Sequence, residues 1–247
     1  MAPEPDLDGR TALVTGSATR VGRELLLRLA ACGADVVVQY RESDAEAAAT
    51  AEEAREHGVA ATTVQGDITD PDAVDAMFDE AAAELGHVDV LVNNVGNFDA
   101  RHWEDIEWDA WRSVVESTFY GTVLCSRRAL EGMRDKGWGR IVNIGFADSD
   151  RMHAAPVNFP YFVAKTGVLM FTRMLAGDTQ DDGITVNAVS PFAVENTVSD
   201  VSAYPRGRAA SFDDVAAPLL FFLSDGAAYI SGENVAVDGG RLTEQSS

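Results

Sequence analysis

Short β-branched runs alternate with longer alanine- and leucine-rich runs from Thr11 to Val237, and this alternation leaves few folds open to the chain. Thr11–Thr15 reads as a first strand, followed by a helix over Val21–Cys32 with Val21, Leu25, Leu29 and Cys32 on one face. Asp35–Gln39 is a second strand, and Ser43 to Glu46 spells a capping box for a helix that Gly58 ends. Ala61–Gln65 is a third strand; Asp70 and Pro71 then supply an N-cap and a first-position proline for a helix running to Leu85. Val88–Asn93, Ile141–Ile144, Thr185–Ser190 and Asn234–Val237 are the remaining strands, separated by helices from Trp108 to Met133, Pro160 to Thr179 and Asp213 to Leu223. Strands that alternate with helices join in parallel through right-handed crossovers. Strands apolar along their whole length are those covered on both faces. An α/β fold follows, with helices on both sides of one parallel sheet. No repeat, low-complexity tract or linker divides residues 1–247, which read as a single domain.

Composition narrows the function classes. The chain has 247 residues, long enough for a core without disulfide or metal staples, and 46% are hydrophobic, as in a folded globule. Cys32 and Cys125 fall inside apolar helical patterns and read as packed thiols. No Cys/His cluster predicts a metal site. No apolar run is long enough for a transmembrane helix. The acidic, proline-containing start, Met1 to Arg10, lacks the features of a secretory signal, so the expected location is cytoplasmic. Forty acidic against 19 basic residues give a net charge of −21, which repels nucleic acid and anionic membrane alike; neither is an expected partner. Only Lys136 and Lys165 are lysines. An acidic excess with so little lysine resembles the proteins of salt-in halophiles, whose dense carboxylates are screened by multimolar salt.

The first strand runs into Thr15-Gly16-Ser17-Ala18-Thr19-Arg20-Val21-Gly22 and then into a helix. In that setting backbone N–H groups and the helix N-terminus face outward, ready for a pyrophosphate. Gly16 permits the tight turn and Gly22 lets the helix pack close.

With the turn in place, the chain resembles the short-chain dehydrogenase/reductase family over nearly its whole length. The turn resembles that family's TGxxxGxG with Arg20 in place of the middle glycine, a variant similar to the pteridine reductase branch. Asp67-Ile68 resembles the adenine-side segment, and Asn93-Asn94-Val95-Gly96 the NNAG motif. Tyr161-Phe162-Val163-Ala164-Lys165 matches YxxxK, Asn187 to Pro191 resembles the strand leading to the substrate lid, and Val237 to Gly240 the last strand. The resemblance implies a doubly wound Rossmann-type sheet of seven strands in the order 3-2-1-4-5-6-7. It also implies cofactor contacts from Gly16, Ser17, Thr19, Arg20, Val21, Asp67, Ile68, Asn94, Gly96, Tyr161, Lys165, Pro191 and Val194. A homodimer or homotetramer is implied through the helix containing Gly121 and the helix after Tyr161.

The end of the second strand, Gln39-Tyr40-Arg41-Glu42-Ser43, lacks the carboxylate that would hold the ribose hydroxyl of NAD(H). Arg41, with Arg20 or Ser43, can instead meet a 2′-phosphate, so NADP(H) is the expected cofactor. Tyr161 and Lys165 lie one helical turn apart and face the same way. An ammonium beside the phenol is expected to lower its pKa. Tyr161 then exchanges a proton with a carbonyl oxygen while Lys165 also binds the nicotinamide ribose.

Three departures qualify the resemblance. The family's serine after the fifth strand falls on Phe146 when counted from the strand and on Asp148 when counted back from Tyr161, with Ser149 next to it. Asp148 is the candidate third catalytic residue, because the pteridine reductase branch places Asp there. A reading of Asp148 and Asp150 as surface carboxylates stands beside it. Thr118 replaces the family's helix asparagine, and the segment from Pro191 to Arg208 is short for a lid. His102 and His153 fall in loops expected at the sheet's carboxyl edge. The expected function is reduction of a small-molecule carbonyl, 3-oxoacyl-type or another ketone, or of a pterin C=N bond. The alternative is a protein of this fold that binds NADP(H) as a sensor or scaffold.

Overall fold

The computed structural model describes residues 5–152, 155–195 and 204–241. Seven strands form one sheet: β1 (Thr11–Val14), β2 (Asp35–Tyr40), β3 (Ala61–Gln65), β4 (Val90–Asn93), β5 (Gly139–Ile144), β6 (Ile184–Pro191) and β7 (Asn234–Val237). All pairings are parallel, in the order β3-β2-β1-β4-β5-β6-β7. The chain winds outward from β1 to β3 and returns to place β4 beside β1, with Val14 opposite both Val38 and Val92. That reversal opens a crevice beyond the carboxyl ends of β1 and β4, where ligands of such sheets bind.

Alternation along each strand splits the core in two. Ala12, Val14, Val36, Val38, Val90 and Val92 face one layer, built on α1 (Arg20–Ala31), α2 (Asp44–Arg55) and α7 (Phe212–Leu223). Leu13, Val37 and Leu91 face the other, built on α3 (Pro71–Leu85), α5 (Gly121–Lys136) and α6 (Phe159–Asp178). Each fully buried branched side chain contributes about 1.5–3 kcal/mol, which explains why the strands read as unbroken apolar runs. Cys125 packs in the second layer, and burial pushes its thiol up to about 12, so it stays protonated. No helix among the described residues is long and apolar enough to cross a membrane.

Local signals succeeded and failed for identifiable reasons. Asp70 caps α3, its side chain accepting from the Asp72 N–H. The capping box expected at Ser43 does not form: Ser43 precedes α2 without a side-chain cap bond. Such a box stands instead at Ser211 and Asp214, where Arg208 also pairs with the Asp214 carboxylate. The single helix expected from Trp108 to Met133 is three pieces. α4 (Trp108–Val115) passes into a π-helical turn, Glu116–Tyr120, before α5.

Candidate active site

The glycine-rich turn is built as its sequence requires. Gly16 has φ +64, and a Cβ there would lie 2.8 Å from the Val95 side chain. At Gly22 a Cβ would meet the Gly16 carbonyl at 2.4 Å and the Asn94 amide nitrogen at 2.7 Å. The turn and the end of β4 therefore touch, tied further by Asn94 Nδ2 to the Thr15 carbonyl (3.0 Å) and the Asn94 N–H to Thr15 Oγ1 (2.9 Å). Arg20 sits exposed at φ +55, the left-handed conformation that explains why glycine is usual at this place. Thr19 is exposed at the N-cap and Val21 is half-buried behind it, whereas Ser17 is buried, its Oγ accepting from the Gln39 N–H.

Gln39 escaped the sequence reading. Its buried amide accepts from the Gly16 N–H (2.8 Å) and donates to the carbonyls of Tyr40 (3.0 Å) and Gly66 (2.8 Å). It thereby joins the first turn to the end of β3. Past it, the Arg41 guanidinium is more than half exposed, 3.5 Å from Asp67 and 3.3 Å from Glu42. Bonds from Thr69, with Arg41 nearby, hold the Asp67 carboxyl below the usual carboxylate range against the opposing effect of burial. Ser43 stands beside Arg41 at the start of α2. Ile68 is buried against Gly121, where a Cβ would approach it to 2.5 Å.

At the other end of the crevice, Gly96 brings the two halves together: a Cβ on it would lie 3.3 Å from Lys165 Nζ and 3.4 Å from the Tyr161 ring. Asn158, at φ +59, precedes α6 and pins it: its Oδ1 accepts from the Asp99 N–H (3.0 Å) and its carbonyl from the Tyr161 N–H (3.1 Å). Lys165 is buried, donates to the Ile144 carbonyl at 2.5 Å, and lies 5.5 Å from the Tyr161 ring centroid. Desolvation brings the ammonium down to about 7. The same desolvation raises the Tyr161 phenol above its ordinary value. That is opposite to the direction expected from sequence, because burial disfavours the charged phenolate.

The surroundings of Tyr161 are aromatic. Phe98 and Phe146 each meet its ring edge-on at 5.8 Å, Phe162 lies at 6.3 Å, and Phe192 packs on Phe146 at 6.0 Å. Counting from the strand thus identifies Phe146 as the residue facing Tyr161. Asp148 is no surface carboxylate: its side chain is buried, at φ +70, paired with Arg241 (2.6 Å) and Arg151 (3.6 Å). The surface reading holds for Asp150, which is exposed. Ser149 is buried, its hydroxyl without a hydrogen-bond partner among the described residues. Thr118 lies buried in the π turn; its carbonyl accepts from Thr122, and its own hydroxyl has no partner among the described residues. Pro191 ends β6, and Val194 is buried and bridged to Ala210. His102 is half-buried, 3.8 Å from Glu104. His153 and the central part of the lid segment lie outside the described residues. A cavity of about 380 Å³ opens between Phe192, Tyr204, Pro218 and β7, and neither Tyr161 nor Lys165 lines it.

Comparison with known proteins bears on this arrangement. A family model described as enoyl-(acyl carrier protein) reductase matches residues 16–241. The 3beta-hydroxysteroid dehydrogenase 1 of Eggerthella lenta is 33% identical, covering 95% of this chain and 94% of that protein. The 3-oxoacyl-(acyl-carrier-protein) reductase FabG of Staphylococcus aureus is 31% identical over 94% of this chain and 97% of its own. Among solved structures, a gluconate 5-dehydrogenase from Burkholderia cenocepacia, in complex with NADP and tartrate, superposes with a TM-score of 0.87 at 30% identity, covering 95% of each chain.

Proposed function

The chain belongs to the short-chain dehydrogenase/reductase family, and from that premise we propose that it is an NADP(H)-dependent oxidoreductase acting on a small-molecule carbonyl, 3-oxoacyl-type or another ketone, or on a pterin C=N bond. The observation that carries the reading is the convergence of Gly96, Tyr161 and Lys165 at the carboxyl edge of the sheet. Gly16, Gly22 and Gly96 let the first turn, the end of β4 and α6 approach one another closely, which supports a crevice shaped for a dinucleotide. Residues from Gly16 to Val21 would take the pyrophosphate, Asp67 and Ile68 the adenine end, and Asn94, Lys165, Pro191 and Val194 the nicotinamide end. Arg41, exposed beside the start of α2, with the uncapped Ser43 next to it, supports NADP(H) over NAD(H). The NADP complex of the gluconate 5-dehydrogenase agrees with this cofactor class.

When bound, NADPH supplies the hydride. Tyr161 hands its phenolic proton to the carbonyl oxygen as charge develops there. Burial raises the phenol above its ordinary value, so it holds the proton that this donor role requires. Lys165, near neutrality at about 7, holds the ribose and returns a proton toward Tyr161. Asp148 stays outside the transfer because its oxygens are committed to two guanidinium groups. Exposed Val163, Met170 and Met174 on α6, with Tyr120 at the π turn, support a homodimer or homotetramer. The acidic, lysine-poor composition supports a cytoplasmic protein of a salt-rich cell.

Tyr161→Phe tests the mechanism. It should abolish NADPH-dependent reduction across a carbonyl panel in high KCl while leaving NADPH affinity within a few-fold; wild-type rates in this variant would refute the role given to the phenol. One observation favours a second reading, a dinucleotide-binding sensor: Phe146 fills the place of the family's serine and presents no hydrogen-bond donor. Under that reading no carbonyl turns over in the wild type, and Phe146→Ser gains activity.

A further inference from the structure

The aromatic wall at Tyr161 ends in a charged cluster that the proton transfer does not use. Arg241, beyond β7, lays its guanidinium 4.1 Å from the centroid of Phe192, and Phe192 packs on Phe146, which meets Tyr161. Nη1 of Arg241 donates to Asp148 Oδ2 at 2.6 Å, while Arg151 stands 3.6 Å from the other oxygen of the same carboxylate. The Asp148 side chain is 2% exposed and that of Arg241 19%. One buried carboxylate is thus bracketed by two guanidiniums, leaving the group positive in a chain whose net charge is −21. Asp238 is occupied by the Gly240 N–H, and Asp150 is exposed; neither pairs with Arg241 among the described residues.

A guanidinium carries five N–H donors in a planar fork. Among the described residues the bond to Asp148 uses one of them, and stacking on Phe192 fixes the plane. Asp148 keeps its left-handed backbone, which a non-glycine residue holds only when its surroundings over-determine it. These contacts leave Arg241 held in place with donors to spare, at the far end of an apolar wall that starts at Tyr161.

Resting on the oxidoreductase reading above, we infer that the substrate is a flat, apolar ketone ending in a carboxylate: its ring lies along Phe146 and Phe192, its carbonyl reaches Tyr161, and its carboxylate is bound by Arg241. Asp148 is then a positioning residue that orients the guanidinium.

The probes are 4-acetylbenzoate and its neutral isostere 4-acetylbenzamide, titrated calorimetrically into the NADP-loaded protein at one KCl concentration. The wild type should bind the acid about tenfold or more tightly than the amide. Arg241→Gln should bring that ratio close to one, and Arg241→Lys, which keeps the charge but loses the fork, should fall between. In NADPH-dependent turnover the discrimination should appear in KM and not in kcat. Equal affinity of the wild type for the two probes, binding of neither, or a preference that survives Arg241→Gln overturns the inference. Should Arg241→Gln fail to fold, the wild-type ratio and Arg241→Lys still decide. Selective binding of the acid without turnover of either ketone would leave the anion site standing and overturn the placement of the ketone at Tyr161; equal turnover of both would keep the catalytic reading and remove the anion site.

Discussion

Lys165→Met should make the protein more stable while ending its turnover. The wild-type ammonium is buried, with the Ile144 carbonyl as its hydrogen-bond partner, and desolvation lowers it from 10.5 to about 7. At about 1.36 kcal/mol per pH unit, that difference corresponds to about 4–5 kcal/mol of destabilisation in the cofactor-free protein. Loss of the bond to Ile144 returns about 1 kcal/mol, leaving a net gain of about 3–4 kcal/mol for methionine. The sign follows from linkage. A lysine whose folded pKa lies below its unfolded value imposes no penalty above pH ~10.5. The penalty grows as pH falls toward about 7 and is constant below that. Urea unfolding of the two proteins without cofactor, at intervals between those limits and in matched KCl, should therefore show the variant about 1 kcal/mol less stable at the alkaline end, where only the lost bond counts, and increasingly the more stable toward neutrality. A variant less stable than wild type at neutral pH, or a gain that ignores pH, would refute the reasoning, and with it the assignment of Lys165 as a buried, strained cation.

Gly22→Ala places a Cβ 2.4 Å from the Gly16 carbonyl and 2.7 Å from the Asn94 amide, so the turn must shift. NADPH affinity by fluorescence titration should weaken about tenfold or more, roughly 1.4 kcal/mol. Arg41→Ala should narrow the preference for NADPH over NADH by about tenfold, the scale of one charge-assisted phosphate contact, and an unchanged ratio would exclude a phosphate role. The melting temperature should climb steeply with KCl, because −21 charges repel until they are screened. Arg128, within reach of Asp75, Asp79 and Glu131, shows how heavily each cation is already shared. A flat melting curve between low and multimolar salt would remove the halophilic reading.

The strands and the crevice were legible because each rests on a local rule. β-branched runs buried on both faces, a proline after an aspartate cap and glycines at tight approaches can all be read one segment at a time. Tyr161 and Lys165 were legible because they match YxxxK and helical spacing puts them on one face. The aromatic wall was not, because Phe98, Phe146, Phe162 and Phe192 come from four separate segments, and only the sheet brings them together. Arg241 was invisible for the same reason: 93 residues separate it from Asp148. Gln39 sat inside a strand pattern, where a polar residue reads as a solvent-facing position, yet it is buried and satisfied by the backbone of two neighbouring segments. Ser43 misled because the capping-box letters were present while its backbone, at φ −100 and ψ 60, left the extended region a capping side chain needs.

The π turn at Glu116–Tyr120 acts as a phase shifter between two helices that each pack against the body of the protein. An α-helix advances about 100° per residue, so removing one residue from a regular stretch swings everything beyond it by more than a quarter turn. Within α5 such a loss would carry Cys125, Ala129 and Met133 off the core. Within the π turn the outcome reverses: the wide turn holds one residue more than an α-helical path requires, so a deletion there straightens the rod and leaves both flanking faces in register. Among the positions from Trp108 to Lys136, these five are where the chain can shorten by one residue and keep both helices seated. Thr118 is one of them, so the length of this helix and the identity of a buried residue of its turn can change in a single step.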